Sequence, residues 1–317
     1  MLSLLIAHYF AACLPLVLAG IGTGFGQGIL GFGTLDSIAI QDLGRDKSVR
    51  AMIIGLALTE SSVVIALVMT LMTLWREGTS LSWPIIFGEF GIALAIGISG
   101  LLVTIASGFA VRSACRSIMR QPFQAQKILT FMFIIQSLIE AAFIFSFVIA
   151  LMIRGNIVES LDLYNGLKFL AAGLAMGLGA IGPLIGQAIF SNVACKAVGV
   201  GGGSYNKIVS FSLLSEAALE APLLFALVIA ILIFYFPLPF EGELLKVVAF
   251  FVAAITISLG TFGGGWASSR VSSKGCMVVA LNPEIYPTLL KSAFLAQAFI
   301  ESIVVYSLLI SMFLITT

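Results

Sequence analysis

Four glutamates recur at a nearly constant interval inside apolar stretches of this 317-residue chain. A charged carboxylate at the centre of a membrane helix costs about 3 kcal/mol, so acids in such positions are rare and usually take part in ion transfer. Because the steps between the four acids are 80, 80 and 81 residues, the spacing predicts one unit repeated four times. The candidate ion-carrying residues are Glu60, Glu140, Glu220 and Glu301.

Smaller polar side chains keep a fixed distance from these acids. The residue 33 positions before each glutamate is a glutamine or a serine: Gln27, Ser107, Gln187 and Ser268. An amide or hydroxyl beside a buried carboxyl can satisfy it by hydrogen bonding or help to ligate a cation. We therefore expect each of these residues to lie near the depth of the acid in its own repeat.

A further acid, Glu216, precedes Glu220 by four residues, so both carboxyls point along one face of the same predicted helix. Two like charges this close in an apolar environment cannot both ionise cheaply, so one carboxyl is expected to keep its proton. Repeat register assigns Glu220 as the carrier and Glu216 as an auxiliary residue that matches Gln136 and Gln297. A proton shared by the two acids, or a second ion site, remains an alternative.

The composition indicates which elements must position these side chains. With 60% hydrophobic and 10% charged residues, the chain is too apolar for a soluble domain. We predict an all-α integral membrane protein with eight transmembrane helices in four tandem antiparallel hairpins, residues 1–80, 81–160, 161–240 and 241–317. The predicted spans lie near residues 5–35, 48–75, 85–111, 128–153, 163–195, 207–236, 244–269 and 288–315.

Glycine and charge patterns predict packing and orientation. Small-xxx-small spacing, which is typical of helices that pack backbone to backbone, occurs on two adjoining faces of the first helix, at Gly20, Gly24 and Gly28 and at Gly22 and Gly26. Of the 16 Lys and Arg residues, twelve lie in or beside the turns within hairpins. The positive-inside rule places those turns in the cytoplasm and both termini on the opposite side. His8 is predicted to be an interfacial residue.

A glycine-alternating first helix, the turn Arg120-Gln121-Pro122 and an acid twenty residues after the arginine occur together in the second repeat. This combination resembles the c-subunit (proteolipid) of F-type rotary ATP synthases, and the resemblance extends over all four repeats. The usual family member is a single hairpin, and fused hairpins are a feature of V-type proteolipids. The intact Arg-Gln-Pro turn favours the F-type, with the V-type proteolipid kept as the alternative. An eight-helix ion-coupled secondary transporter is disfavoured, because the repeats all point the same way.

The resemblance implies a non-catalytic subunit without a cofactor. Several copies would form a closed rotor ring, whose acids load and release ions at half-channels of a stator a-subunit and cross the lipid only when neutralised. Translocation would be coupled to ATP synthesis or hydrolysis in a membrane that we expect to be the bacterial inner membrane. The expected partners are other copies, the stator, the central stalk and membrane lipids, and not nucleic acid. The expected stalk-contact residues are Arg45, Arg120, Gln121, Pro122, Asn282 and Pro283.

The transported ion is predicted to be H⁺, with Na⁺ as the alternative. In sodium-binding family members, a glutamine and the acid of one hairpin combine with the serine beside the acid of a neighbour. Glutamine and serine coincide in only one of the four sites here, whichever neighbour donates, and Na⁺ is possible at Gln27, Glu60 and Ser61. Further residues that resemble the sodium-binding members are Ser62, Gln297, Ser302 and Tyr306.

Overall fold

The computed structural model describes residues 2–75, 81–158, 161–239 and 242–317. Within these ranges it contains eight helices that are long and apolar enough to cross a membrane, and no strand, which confirms the predicted fold class. The predicted hairpin boundaries at 80/81, 160/161 and 240/241 involve residues outside the described ranges. The helices are α1 (Leu2–Ile38), α2 (Arg45–Leu74), α3 (Trp83–Arg120), α4 (Pro122–Asn156), α5 (Leu163–Val200), α6 (Gly202–Tyr235), α7 (Glu243–Leu281) and α8 (Pro283–Thr316).

The helices continue beyond the apolar runs that predicted them. The apolar run of α3 ends near residue 111, but the helix contains 38 residues and ends at Arg120. At 1.5 Å per residue it is about 57 Å long, compared with a hydrocarbon core of about 30 Å. The helix ends just before Gln121 because the proline that follows disfavours helical backbone angles at Gln121, which has φ −135° and ψ 70°. The second hairpin therefore extends well beyond its apolar run on the side of its internal turn.

The helices form two rows. α1, α3, α5 and α7 pack side by side in chain order as an inner row, and each contacts the outer helix of its own hairpin. α2, α4, α6 and α8 form the outer row on one face of the inner row. Burial is highest in α3 and α5, which lie in the middle of the inner row, and lowest in the terminal helices. The four hairpins are therefore arranged as an open array with two free edges.

Small residues allow the inner helices to touch through their backbones. A Cβ atom placed on Gly26 would lie 2.2 Å from the carbonyl oxygen of Thr104, and one on Gly108 would lie 2.4 Å from that of Gly26. The same contact recurs between Gly182 and Gly265, where a Cβ on Gly265 would lie 2.5 Å from the carbonyl carbon of Gly182. Backbone packing is confirmed at Gly22 and Gly26, where side chains larger than hydrogen do not fit, whereas Gly20, Gly24 and Gly28 have no atom of the described chain within 4 Å of an added Cβ.

Three of the four internal turns have the same construction. A single residue is followed by one turn of 3₁₀-helix, which begins at Pro122, Gly202 or Pro283. Gln121 (φ −135°, ψ 70°) and Asn282 (φ −132°, ψ 74°) have nearly the same backbone conformation, although their neighbours differ. The first hairpin instead uses residues 39–44 between its helices. Its turn is longer because α1 ends at Ile38, two residues before the repeat position at which α3 ends, whereas α2 begins at Arg45, the repeat position of Ala125 in α4.

Two helices are interrupted within the membrane-spanning region. α5 breaks at Ala180, three residues before Pro183, whose missing N–H removes the hydrogen bond to the Gly179 carbonyl. α2 breaks at Glu60, which keeps right-handed helical angles (φ −79°, ψ −20°) while its N–H turns to the Leu58 carbonyl. The backbone irregularity in α2 therefore coincides with one of the four repeated acids.

Candidate ion-translocation site

The four repeated acids all lie on the outer row. Glu140, Glu220 and Glu301 each come 18 residues after the first residue of α4, α6 or α8, which places them about 27 Å along the helix from the internal turn. These three carboxyl-bearing residues are half-buried, and Glu60 on α2 is exposed. The structure therefore places the acids at a common depth, each with a side chain that can be reached from outside the array.

The predicted register between the two helices of a hairpin is visible in the first repeat. Gln27 on α1 donates from Nε2 to Oε1 of Glu60 on α2 over 3.1 Å. The structure does not form this bond in the other repeats. The hydroxyls of Ser107 and Ser268 are buried and have no hydrogen-bond partner among the described residues. The Gln187 amide faces the Glu216 carboxyl without a hydrogen bond of good geometry.

A second contact joins consecutive hairpins. The Ser61 hydroxyl lies 3.1 Å from Oε1 of Glu140 and 2.8 Å from the carbonyl oxygen of Leu58. A hydroxyl has one proton to donate, so both contacts are satisfied together when a protonated Glu140 donates to Ser61. The residue after the acid of the first hairpin therefore faces the acid of the second. The adjacent Ser62 is buried.

The third repeat contains two acids in different surroundings. Glu216 is completely buried, and neither of its carboxyl oxygens has a hydrogen-bond partner among the described residues. Gln136 and Gln297 occupy the same repeat position and are 1% and 0% exposed, respectively. Gln297 donates from Nε2 to the Ser272 hydroxyl over 2.6 Å. Glu216 therefore points into the helix packing as these amides do, whereas Glu220 is half-buried.

The remaining predicted residues lie around the turns and on the far edge. Lys47 donates to the carbonyl of Pro122 over 3.0 Å, and Lys207 makes the equivalent bond to Pro283 over 2.9 Å. These lysines tie the first turn to the second and the third turn to the fourth. Arg45 pairs with Asp42 over 2.6 Å. Arg120 and Asn282 are exposed at the same end, and Gln121 is half-buried there. On α8, the Ser302 hydroxyl donates to the Phe299 carbonyl, and Tyr306 is exposed.

Sequence reasoning missed a buried contact between a histidine and an acid at the opposite end of the inner row. His8, which was predicted to be an interfacial residue, is 6% exposed, and its Nδ1 lies 2.8 and 3.0 Å from the two carboxyl oxygens of Glu89. The two residues are 81 positions apart, one more than the step of 80 between the first two repeats. Polar residues separated by one repeat lie side by side on neighbouring inner helices, so this spacing was a signal in the sequence.

An array of tandem helical hairpins, each with one acid at a common depth on its outer helix, defines a membrane protein of the proteolipid class. The family model for the ATP synthase c-subunit matches residues 10–73, 90–153 and 251–314, which together cover more than half of the chain. The chain belongs to the ATP synthase c-subunit family, with its hairpins fused.

Individual relatives correspond to about one hairpin each. The chain is 45% identical to the ATP synthase c-subunit of Dehalococcoides mccartyi and 43% identical to that of Chloroflexus aurantiacus, in each case over 69 residues. Those matches cover 22% of this chain and 91% of the relative. The ATP synthase c-subunit of a Synechococcus species is 41% identical over 81 residues, which cover 26% of this chain and 98% of the relative. These proportions are those expected of a chain that contains several copies of the ordinary single hairpin.

Proposed function

We propose that this rotor c-subunit of an ATP synthase carries protons on Glu60, Glu140, Glu220 and Glu301. The observation that carries this proposal is the placement of one acid per hairpin on the outer row, at a common depth. Such an acid can face lipid only in its neutral form, so it must lose and regain its ion in aqueous half-channels of a stator a-subunit. A membrane potential contributes about 2.3 kcal/mol per charge per 100 mV to this transfer.

Closure into a ring is supported by the free edges of the array. A Cβ atom added to Gly20, Gly24 or Gly28 on α1 would have no described atom of the chain within 4 Å. The same is true of a Cβ atom added to Gly263 on α7. Gly28 occupies the repeat position of Gly108, whose backbone touches that of Gly26 inside the chain. A second copy that places its α7 against α1 repeats this contact. Heterologous contacts of this kind close into a ring when the rotation between protomers permits it.

The basic internal turns would face the cytoplasm of a bacterium and contact the central stalk. Their positive charge supports this orientation, and the similar proteins named above are bacterial. The aromatic ring of Phe123 is 90% exposed directly after the Arg120-Gln121-Pro122 turn. An apolar side chain this exposed beyond the membrane is suited to a protein contact.

The choice of H⁺ over Na⁺ is supported by the ligands available at each acid. Because the residue after one acid faces the next acid, Ala141 and Ala221 leave Glu220 and Glu301 without a neighbouring hydroxyl. Glu140 has Ser61 but no glutamine in its own first helix. Glu60 has Gln27, and its hydroxyl would come from Ser302 of the partner subunit across the ring junction. A rotor must pass the same ion at every site, and a proton requires the fewest ligands.

The ion can be tested by carbodiimide labelling of reconstituted rings at neutral pH. We expect Na⁺ to leave the labelling of Glu140, Glu220 and Glu301 unchanged. Protection of all four acids by Na⁺ would refute proton transport. Protection of Glu60 alone would show that its more complete ligand set binds Na⁺, without making Na⁺ the ion carried at the other sites.

The two acids of the third repeat can be separated by substitution. Glu220→Gln should abolish ATP-driven proton pumping in reconstituted vesicles, because a residue that cannot release a proton stops the ring at the stator. Glu216→Gln should keep pumping near the wild-type rate, because an amide already occupies this position at Gln136 and Gln297. The reverse result would assign the carrier to Glu216.

A further inference from the structure

The face of the inner row that is turned away from the outer helices contains two adjoining depressions between α3 and α5. The first is an apolar groove of about 320 Å³, which we call the lumen groove. Its walls include Ile105 and Phe109 on α3 and Ile185 and Ile189 on α5. These side chains lie within the apolar part of both helices, so the groove is at membrane depth.

The second depression is a polar pocket of about 190 Å³ at the cytoplasmic end of the same two helices, which we call the basic pocket. Asn192 lines both the groove and the pocket, so the two are continuous. On α3, Arg112 comes three residues after Phe109, a rise of about 4.5 Å. The residues that line the basic pocket are Arg112, Ser113, Arg116, Ser117, Arg120, Asn192 and Lys196.

The positive charge of the basic pocket is only partly compensated. Arg116 pairs with Asp36 on α1. Arg112 stacks above the Phe32 ring, 6.0 Å from its centroid, and neither Arg120 nor Lys196 has a carboxylate partner among the described residues. Lys196 follows Arg116 by one repeat of 80 residues, so the array places two like charges on neighbouring helices. Topology explains basic residues at this end of the membrane, but it does not require four of them to share one pocket.

We propose that the lumen groove and the basic pocket together bind one anionic phospholipid per chain. Its phosphate would lie among Arg112, Arg116 and Lys196, and an acyl chain would follow the groove past Asn192 toward Ile105. Two properties select this occupant: the pocket has an excess of positive charge, and the apolar surface begins directly beside it in the direction in which a lipid of the cytoplasmic leaflet extends. In a ring, this face lines the interior, where the lipid would be separated from the acids on the outer row.

The test uses the assembled, delipidated protein in detergent, with native mass spectrometry to count bound lipid. The probes are dioleoylphosphatidylglycerol, dioleoylphosphatidylcholine and inorganic phosphate. We expect retention of the anionic lipid and loss of the zwitterionic one. Arg112→Gln combined with Lys196→Gln should weaken binding of the anionic lipid about 25-fold, since each cation near a lipid surface contributes about fivefold. Lys196→Gln alone should weaken it about fivefold.

Two further variants separate this occupant from others. Lys291→Gln removes one positive charge on the same side of the membrane from an exposed site on α8, and it should leave lipid binding unchanged. Ile189→Trp should fill the groove and reduce lipid binding at least fivefold while the charge of the pocket is unchanged. The same repeat position already carries Phe109, so a large aromatic side chain is compatible with the fold.

Each outcome has a defined meaning. Equal retention of both lipids would overturn the proposal by showing that the headgroup charge does not matter. An equal loss from Lys291→Gln would overturn it by showing a general effect of surface charge. If the double substitution weakens binding and Ile189→Trp does not, the pocket binds an anionic group without the groove. Displacement of the lipid by millimolar inorganic phosphate would point to the same conclusion, and either result would overturn the lipid assignment.

Discussion

Gly28→Leu tests ring closure without disturbing the single chain. No atom of the chain lies within 4 Å of a Cβ built on Gly28, so the hairpin array should fold as before. All four repeats have a small residue at this position: Gly28, Gly108, Ala188 and Ser269. At Gly108, a Cβ would lie 2.4 Å from the Gly26 carbonyl oxygen, and we expect the junction between chains to have the same close approach.

The size of the effect follows from overpacking. Forcing a larger side chain into a packed contact costs typically about 2 kcal/mol. That cost makes each junction about 30-fold weaker, and every chain in a ring contributes one such junction. Native gels and electron microscopy of the purified protein should therefore show single chains and open fragments in place of closed rings. The amount of chain inserted in the membrane should stay near the wild-type level.

Two matched substitutions decide between assembly and folding. Gly108→Leu changes the same repeat position inside the chain, so it should reduce the amount of folded chain itself. Gly155→Leu on α4 has open space around its Cβ and lies away from both free edges, so rings should form normally. Closed rings in normal yield from Gly28→Leu would refute the reasoning that α1 of one copy packs on α7 of the next.

Three further substitutions test contacts seen within the chain. His8→Ala removes the imidazole from the buried Glu89 carboxyl, which should cost about 3 kcal/mol in thermal unfolding, whereas His8→Phe with Glu89→Leu should recover most of that loss. Lys207→Met removes the charged donor to the Pro283 carbonyl, so proteolysis at the turn of the fourth hairpin should increase, and Lys291→Met serves as the control. Ser61→Ala removes the hydroxyl beside Glu140, so carbodiimide should label Glu140 about fivefold faster. Labelling of Glu301 should not change, because Ala221 already occupies the corresponding place beside it. Unchanged melting, proteolysis or labelling would show that the respective contact contributes nothing in the membrane.

The sequence predicted the repeat, the eight spans and the position of the acids, because membrane helices leave strong one-dimensional signals. Apolar length indicates the spans, and the interval between Glu140 and Glu220 indicates the repeat. It also predicted that Glu216 matches Gln136, since residues one repeat apart take equivalent places in the array. It did not predict where α3 ends, because a helix beyond the lipid needs no apolar run.

The polar contacts between hairpins were harder to predict, because they depend on which faces the helices present. A spacing of about 80 residues brings two side chains together only if both point toward the shared interface. This condition holds for His8 with Glu89 and for Ser61 with Glu140. The spacing of 33 residues within a hairpin depends on helix rotation in the same way, and the Ser107 hydroxyl does not reach Glu140. Repeat spacing therefore indicates which pairs of side chains could be in contact, and the rotation of each helix about its axis decides which of those pairs are.

Fusion of four hairpins allows the ion sites to differ, which a ring of identical single hairpins does not. Under the proposed function, Glu140 has a neighbouring hydroxyl, Glu220 and Glu301 have none, and Glu60 acquires one only at a junction between chains. A hydrogen bond of this kind contributes about 1 kcal/mol. The membrane potential contributes about 2.3 kcal/mol per charge at 100 mV, so we infer that the differences between sites do not stop rotation at that potential. Below about 45 mV the hydrogen-bond contribution exceeds that of the potential, and single-molecule rotation should then show dwell times that repeat with a period of four hairpins. Equal dwell times at every hairpin at low potential would show that the neighbouring hydroxyl does not affect ion release.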